Sequence, residues 1–186
     1  MSAGRKTRDI IAATIWRVAG GRGRCPNNDF GFRRCSRVAN ADSELSVLAV
    51  DAGRIAVRTE TGLRLLTAGG AVLRDFDVKA RAAALSGTRL AVRTADAVEV
   101  YDTGSGQLAA RFPATSHLRL EDLDNGILVT AAGRTVTLRR LGRSRKRTIL
   151  AGGIAHAQLE RPGLFVAGGR RVTFTPIREV LRLLGQ

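Results

Sequence analysis

The chain has 186 residues, enough for one domain with a real core, and 44% hydrophobic with 25% charged residues is the balance of a soluble globular protein rather than a disordered one. Its longest apolar runs, residues 10–16 and 82–85, fall far short of the roughly 20 residues that a membrane-spanning helix needs, so no transmembrane helix is expected. The formal charge of +15 raises the question of an anionic partner. Only Lys6, Lys79 and Lys146 are lysines among the 31 basic residues, however, and the arginines fall one or two to a predicted strand along the whole chain. That is the pattern of a GC-rich genome filling solvated positions, and it favours a solvated face over a binding groove.

The first segment begins with Arg5, Lys6 and Arg8, like the basic start of a signal peptide, but the apolar run from Ile10 to Ile15 is too short and no small-residue cleavage site follows. No export signal is read there, which leaves cytoplasmic and extracytoplasmic locations both open. Asp9 to Ala19 reads as one or two strands of a preceding, partial repeat. Gly20 to Asp42 is a Gly-, Arg- and Asn-rich connection that holds the only cysteines, Cys25 and Cys35. A disulfide closing that loop would restrain it and imply an oxidising compartment; two unpaired thiols are the alternative. The spacing is not CxxC, and neither His117 nor His156 is near in sequence, so zinc is disfavoured.

From residue 45 onward, strand signals dominate. The first copy predicts strands at 45–50, 54–59, 63–67 and 71–78, and the second at 81–85, 89–94, 97–102 and 107–112. The third predicts 117–123, 127–130, 135–141 and 147–150, and the fourth 154–159, 164–167, 171–176 and 179–184. A shared phrase links the copies: GRIAVRTETGLRLL, TRLAVRTADAVEVY, NGILVTAAGRTVTL and PGLFVAGGRRVTF. Its anchoring residues Val57, Val92, Val129 and Val166 are separated by 35, 37 and 37 residues, a period in the range of repeat architectures. Four short strands joined by tight turns make an antiparallel meander, and such a unit buries its faces only by stacking on its neighbours. The tail EVLRLLGQ also fits helical spacing, but the apolar VLRDF and LAARF at the equivalent place in earlier copies favour a final outer strand.

With these phrases in place, the chain resembles bacterial β-propeller repeats of the WD-repeat-like and PQQ-like kind. VEVYDTGSGQLAARF, Val98 to Phe112, is similar to the blade ending in which an apolar strand leads into Asp, a Thr-Gly turn and a returning outer strand. The resemblance implies an all-β fold of four-stranded blades at about 45–79, 80–114, 115–151 and 152–186, preceded by a remnant and a Cys/Arg-rich loop over 1–44. The copies look like the C-terminal part of a larger propeller, whose exposed terminal blade would invite self-association. No Trp-Asp dipeptide closes a blade, and the Trp docking motif of quinone-dependent enzymes is missing, so no cofactor site is carried over.

Chemistry has few footholds. His117 lies near Glu121, Asp122 and Asp124, an acid–base cluster in principle, but the plainer expectation is a strand start followed by solvated carboxylates; His156 occupies a matching place one copy later. No GxSxG, HExxH or Walker-type motif occurs, and no catalytic, cofactor or metal residue is assigned. Two basic zones are candidates for anion binding. One is Arg139, Arg140, Arg143, Arg145, Lys146 and Arg147 around a predicted hairpin; the other gathers Arg33, Arg34 and Arg37, with Arg22 and Arg24, near the cysteine loop beside Phe30 and Phe32. Such clusters neutralise phosphates in a salt-dependent way, but aromatic residues for base stacking are not close in sequence to the first zone. The expected function is therefore a non-enzymatic β-propeller scaffold that binds a protein partner or an unknown ligand. A nucleic-acid or anionic-surface binder and a non-catalytic part of a propeller enzyme are the alternatives.

Overall fold

A computed structural model describes residues 46–185. The expected N-terminal remnant, the Cys25 and Cys35 loop and the zone of Arg33, Arg34 and Arg37 lie outside the described residues. The chain divides into two compact units, Met1–Val78 and Lys79–Gln186.

In the first unit, β1 (Ser46–Asp51), β2 (Arg54–Arg58), β3 (Leu63–Thr67) and β4 (Val72–Phe76) form an antiparallel sheet in chain order. Ile55, Ala56 and Val57 of β2 are all fully buried, as a strand covered on both faces requires, and Ile55 and Val57 cluster with Leu66, Val47 and Val50. The last strand carries Val72 and Leu73 half exposed.

The second unit repeats this meander. β5 (Ala82–Ser86), β6 (Arg89–Arg93), β7 (Ala97–Asp102) and β8 (Leu108–Pro113) make its first sheet. Its second sheet comprises β9 (Arg119–Asp124), β10 (Ile127–Ala132), β11 (Thr135–Arg140) and β12 (Lys146–Leu150). The third holds only β13 (Ala155–Glu160), β14 (Gly163–Gly168) and β15 (Arg171–Pro176). Alternation sorts the side chains. Ile127, Val129, Val136 and Leu138 pack toward Ala155, Ala157, Leu159, Leu164 and Val166 of the third sheet, whereas Leu123 and Leu128 join Ala91, Val98 and Val100 of the first. The period-two pattern thus faces the middle of the second sheet to a neighbour on either side.

The predicted strand at 179–184 is not formed. The chain leaves β15 at Pro176 and enters α1 (Ile177–Leu183). Proline is suited to both places, closing an edge strand and preceding a first helical turn. Helical spacing then wins because Ile177, Val180, Leu181 and Leu184 fall on one face, and all four belong to the core cluster shared by the last two sheets. A strand would have split Val180 and Leu184 from Leu181. Glu179 in the first turn and Arg182 in the last complement the helix dipole.

Tight turns fix the registers. Between β9 and β10, Asn125 (φ 48°) and Gly126 (φ 72°) supply the two left-handed residues that a type I′ hairpin needs. Open space surrounds the position where a Cβ on Gly126 would sit, so only backbone strain opposes a side chain there. Gly126→Ala should therefore cost about 1 kcal/mol in urea unfolding, with the same unfolding slope as the parent.

Candidate functional site

The inner strands β5, β9 and β13 are neighbours in the second unit, and they hold the carboxylates that the sequence set beside His117. Their geometry is that of joints. Asp122 Oδ2 accepts the Leu159 amide of β13 at 2.8 Å, and its Oδ1 accepts the Leu123 amide at 2.7 Å. Glu121 accepts from Arg119 Nε at 2.8 Å through Oε1, and its Oε2 faces the Ala157 amide at 3.4 Å and His156 Nδ1 at 3.5 Å. Arg119 also donates to the Ala155 carbonyl. On the other side, Ser86 Oγ of β5 donates to Asp124 Oδ1 at 3.2 Å. Each carboxylate therefore ties one inner strand to the next.

The two histidines do not occupy equivalent places. His117 sits exposed in the turn before β9, not at a strand start, because the Thr115 carbonyl receives the Leu118 amide and tightens the chain there. His156 is the second residue of β13.

Burial pushes the Asp122 carboxyl above its ordinary value, and the charges of Asp124 and Glu160 add to the shift, against the two amide hydrogen bonds that favour ionisation. A raised carboxyl in the folded state binds its proton more readily than in the unfolded chain. Its contribution to stability consequently grows as pH falls from above the folded pKa toward the unfolded value near 4. The stability difference between the parent and Asp122→Asn, measured by urea unfolding, should widen in the parent's favour between neutral pH and about pH 4.

Asp102 plays a turn role that explains the Asp-Thr-Gly phrase. Its Oδ1 accepts the amides of Gly104 and Ser105 and the Ser105 hydroxyl, and the Ser105 hydrogen bonds hold the carboxyl below its usual range. Arg93, in contrast, is a joint that sequence reasoning passed over. It is 3% exposed at the end of β6, and it donates from Nε to the Leu118 carbonyl at 3.0 Å and from Nη2 to the Thr115 carbonyl at 2.6 Å.

The basic zone at Arg139–Arg147 spans the end of β11, a turn and the start of β12. Arg139 lies over the ring of Phe112, 5.0 Å from its centroid, so an aromatic partner is present after all, delivered by β8 of the preceding sheet. Arg143 Nη1 donates to the Gly185 carbonyl at 3.3 Å and Arg147 Nε to the Leu183 carbonyl at 2.8 Å. These two arginines hold the carbonyl end of α1, where cations are favoured. Arg145 and Lys146 remain exposed, and Arg140 is half-buried at the end of β11. Composition sharpens the electrostatics: between Asn125 and Arg178 there are 11 arginines and lysines and a single carboxylate, Glu160. The chain from β10 to the start of α1 is therefore strongly cationic, and part of the arginine hairpin is structural.

Among the described residues, no group of three His, Cys, Asp or Glu is arranged to hold a metal ion. No described helix is long and apolar enough to cross a membrane, which says nothing of a β-barrel.

Neither any protein-family model nor any curated protein sequence matches the chain. Solved structures do match. The computationally designed Ika4 protein superposes with a TM-score of 0.55 at 15% identity, covering 73% of this chain and 92% of that one. Hsv2 of Kluyveromyces lactis gives 0.57 at 13% identity over 70% of this chain and 46% of that chain, and BamB of Moraxella catarrhalis 0.52 at 9% over 68% and 40%. The chain thus spans less than half of these two natural neighbours. Together with the repeated antiparallel sheets, these matches show a β-propeller fold.

Proposed function

We propose that this chain is a non-enzymatic β-propeller scaffold that binds a protein partner through an acidic surface of that partner, each sequence copy serving as one blade of a bacterial repeat protein. The observation that carries this reading is the division of labour among charged residues. The inner-strand carboxylates Glu121, Asp122 and Asp124 are engaged in holding sheets together, while from β10 to the start of α1, between Asn125 and Arg178, cations outnumber carboxylates 11 to one. Function in such folds resides on loops and edges rather than in the sheets.

A polyanion reading, with nucleic acid as the ligand, draws on one specific contact, the stacking of Arg139 on Phe112 beside the basic turn. Fluorescence anisotropy of the full chain with labelled poly-glutamate and labelled duplex DNA at physiological salt separates the two. Acidic polypeptide should bind more tightly, and Arg145→Glu with Lys146→Glu should weaken it by about tenfold, a loss of roughly 1.4 kcal/mol spread over two exposed charges. Tighter binding of DNA, with affinity falling steeply as salt rises, would transfer the function to nucleic acid.

A further inference from the structure

Among the described residues, the third sheet of the second unit has three strands, without the outer strand that the other three sheets possess. Its place is not taken by α1. That helix turns back toward the preceding sheet, where Ile149 of β12 joins its apolar face and Arg143 and Arg147 hold its last carbonyls. Among the described residues, β15 has a hydrogen-bonded neighbour on one side only, β14.

The register shows what the free edge offers. Gly169 (φ 63°) and Arg170 form the two-residue turn between Gly168 and Arg171, a connection with glycine at its first position as type II′ hairpins prefer. Gly168 and Arg171 are then the closing hydrogen-bonded pair, and the antiparallel alternation makes Val166 and Thr173 the next. The residues between, Val172 and Phe174, aim their amides and carbonyls away from β14. Their side chains share one face with Ala167 and Phe165; the Phe165 and Phe174 rings lie 4.9 Å apart. Both stay unusually open for apolar residues, Val172 70% and Phe174 49% exposed. Arg171 projects from the opposite face, and Arg161, Arg170, Arg171 and Arg178 surround the strand in sequence with one carboxylate, Glu179, following them.

We propose that the free edge of β15 is a strand-addition site for an extended acidic segment of a partner protein, in which apolar residues lie beside Val172 and Phe174 and acidic residues alternate toward Arg171. The proposal rests on the scaffold reading above and names its partner's chemistry. Main-chain hydrogen bonds from Val172 and Phe174 supply affinity, and the alternating side chains supply specificity. A second copy of this chain is disfavoured as occupant because its own β15 has no acidic residue to set against Arg171. Pro176, with no amide to donate, limits the addition to the N-terminal part of the strand.

The test uses the full chain and a fluorescein-labelled peptide of alternating valine and glutamate, with a second peptide methylated on alternate backbone nitrogens. The first should bind and should protect the amides of Val172 and Phe174 from hydrogen exchange. N-methylation should weaken binding by at least about tenfold, as should Val172→Pro, which removes an outward-facing amide while leaving the β14 ladder intact. The N-methylated peptide keeps the question answerable if that variant folds poorly, since it leaves the protein untouched. Equal binding of both peptides, sensitive to Lys146→Glu but with no protection at β15, would overturn the edge site and leave the scaffold reading standing. Failure of the chain to bind either acidic peptide would overturn both.

Discussion

Replacing Arg93 with alanine should destabilise the chain by about 3 kcal/mol, read as a lowered urea midpoint with an unchanged slope. Two charge-assisted hydrogen bonds from a buried guanidinium vanish, the Leu118 carbonyl loses its side-chain donor, and the Thr115 carbonyl keeps only the Leu118 amide. The aliphatic stem goes as well. The cost is not simply the strength of the ion's contacts, because burying the guanidinium already carries a penalty. Desolvation lowers the Arg93 pKa, the neighbouring positive charge of Arg81 lowers it further, and Nη1 has no hydrogen-bond partner. A methionine of similar length restores the packing without that penalty. Arg93→Met should therefore cost well under half as much as Arg93→Ala. Equal losses in the two variants would mean that the carbonyl contacts alone hold the entry to β9, and equal stability of parent and alanine variant would mean that this joint contributes nothing.

The joints were the least legible part of the sequence, and the reason is geometric. Val57, Val92, Val129 and Val166 declare themselves by spacing, and each falls on the second strand of its sheet as the repeat implies. Hairpin turns such as Asn125-Gly126 are local signals of the same kind. Arg93, Asp122 and Ser86 instead find partners 22 to 38 residues away, on the next copy, where local pattern reading does not look. The period itself contained the clue. Asp122 to Leu159 is 37 residues and Ser86 to Asp124 is 38, close to one repeat, so a polar residue on an inner strand is a candidate joint to the equivalent strand of the following copy. Phe112 was missed for the same reason, since it reaches Arg139 across a sheet boundary. The error at α1 was of another sort. Analogy with VLRDF and LAARF outweighed a four-residue apolar face at helical spacing, although those earlier outer strands are largely exposed whereas Val180 and Leu184 are fully buried.

That difference in burial makes the C-terminal helix the other place where a single side chain should matter most. Leu184→Ala should cost about 3 to 4 kcal/mol, the range expected for truncating a fully buried leucine whose surroundings collapse only partly. Leu184 packs in the cluster that also contains Leu138, Leu164 and Val180, so its loss loosens both sheets between which the helix lies. Leu183→Ala should cost about 1 kcal/mol, because that side chain is only half-buried. Helix and strand alike set Leu183 apart from Leu184; what separates them is Leu181, which in a strand would lie on the face opposite Leu184, whereas in the helix the two lie together in the cluster. Hydrogen exchange adds a second readout. In the Leu184→Ala variant the amides of α1 should lose protection before those of β14, since Arg143 and Arg147 hold only the last carbonyls and each exposed contact is weak. Should α1 keep its protection while the whole chain loses stability, the helix would be fixed by its hydrogen bonds to the arginine hairpin instead of by its apolar face, and the basic turn would then be a structural clamp before it is a binding surface.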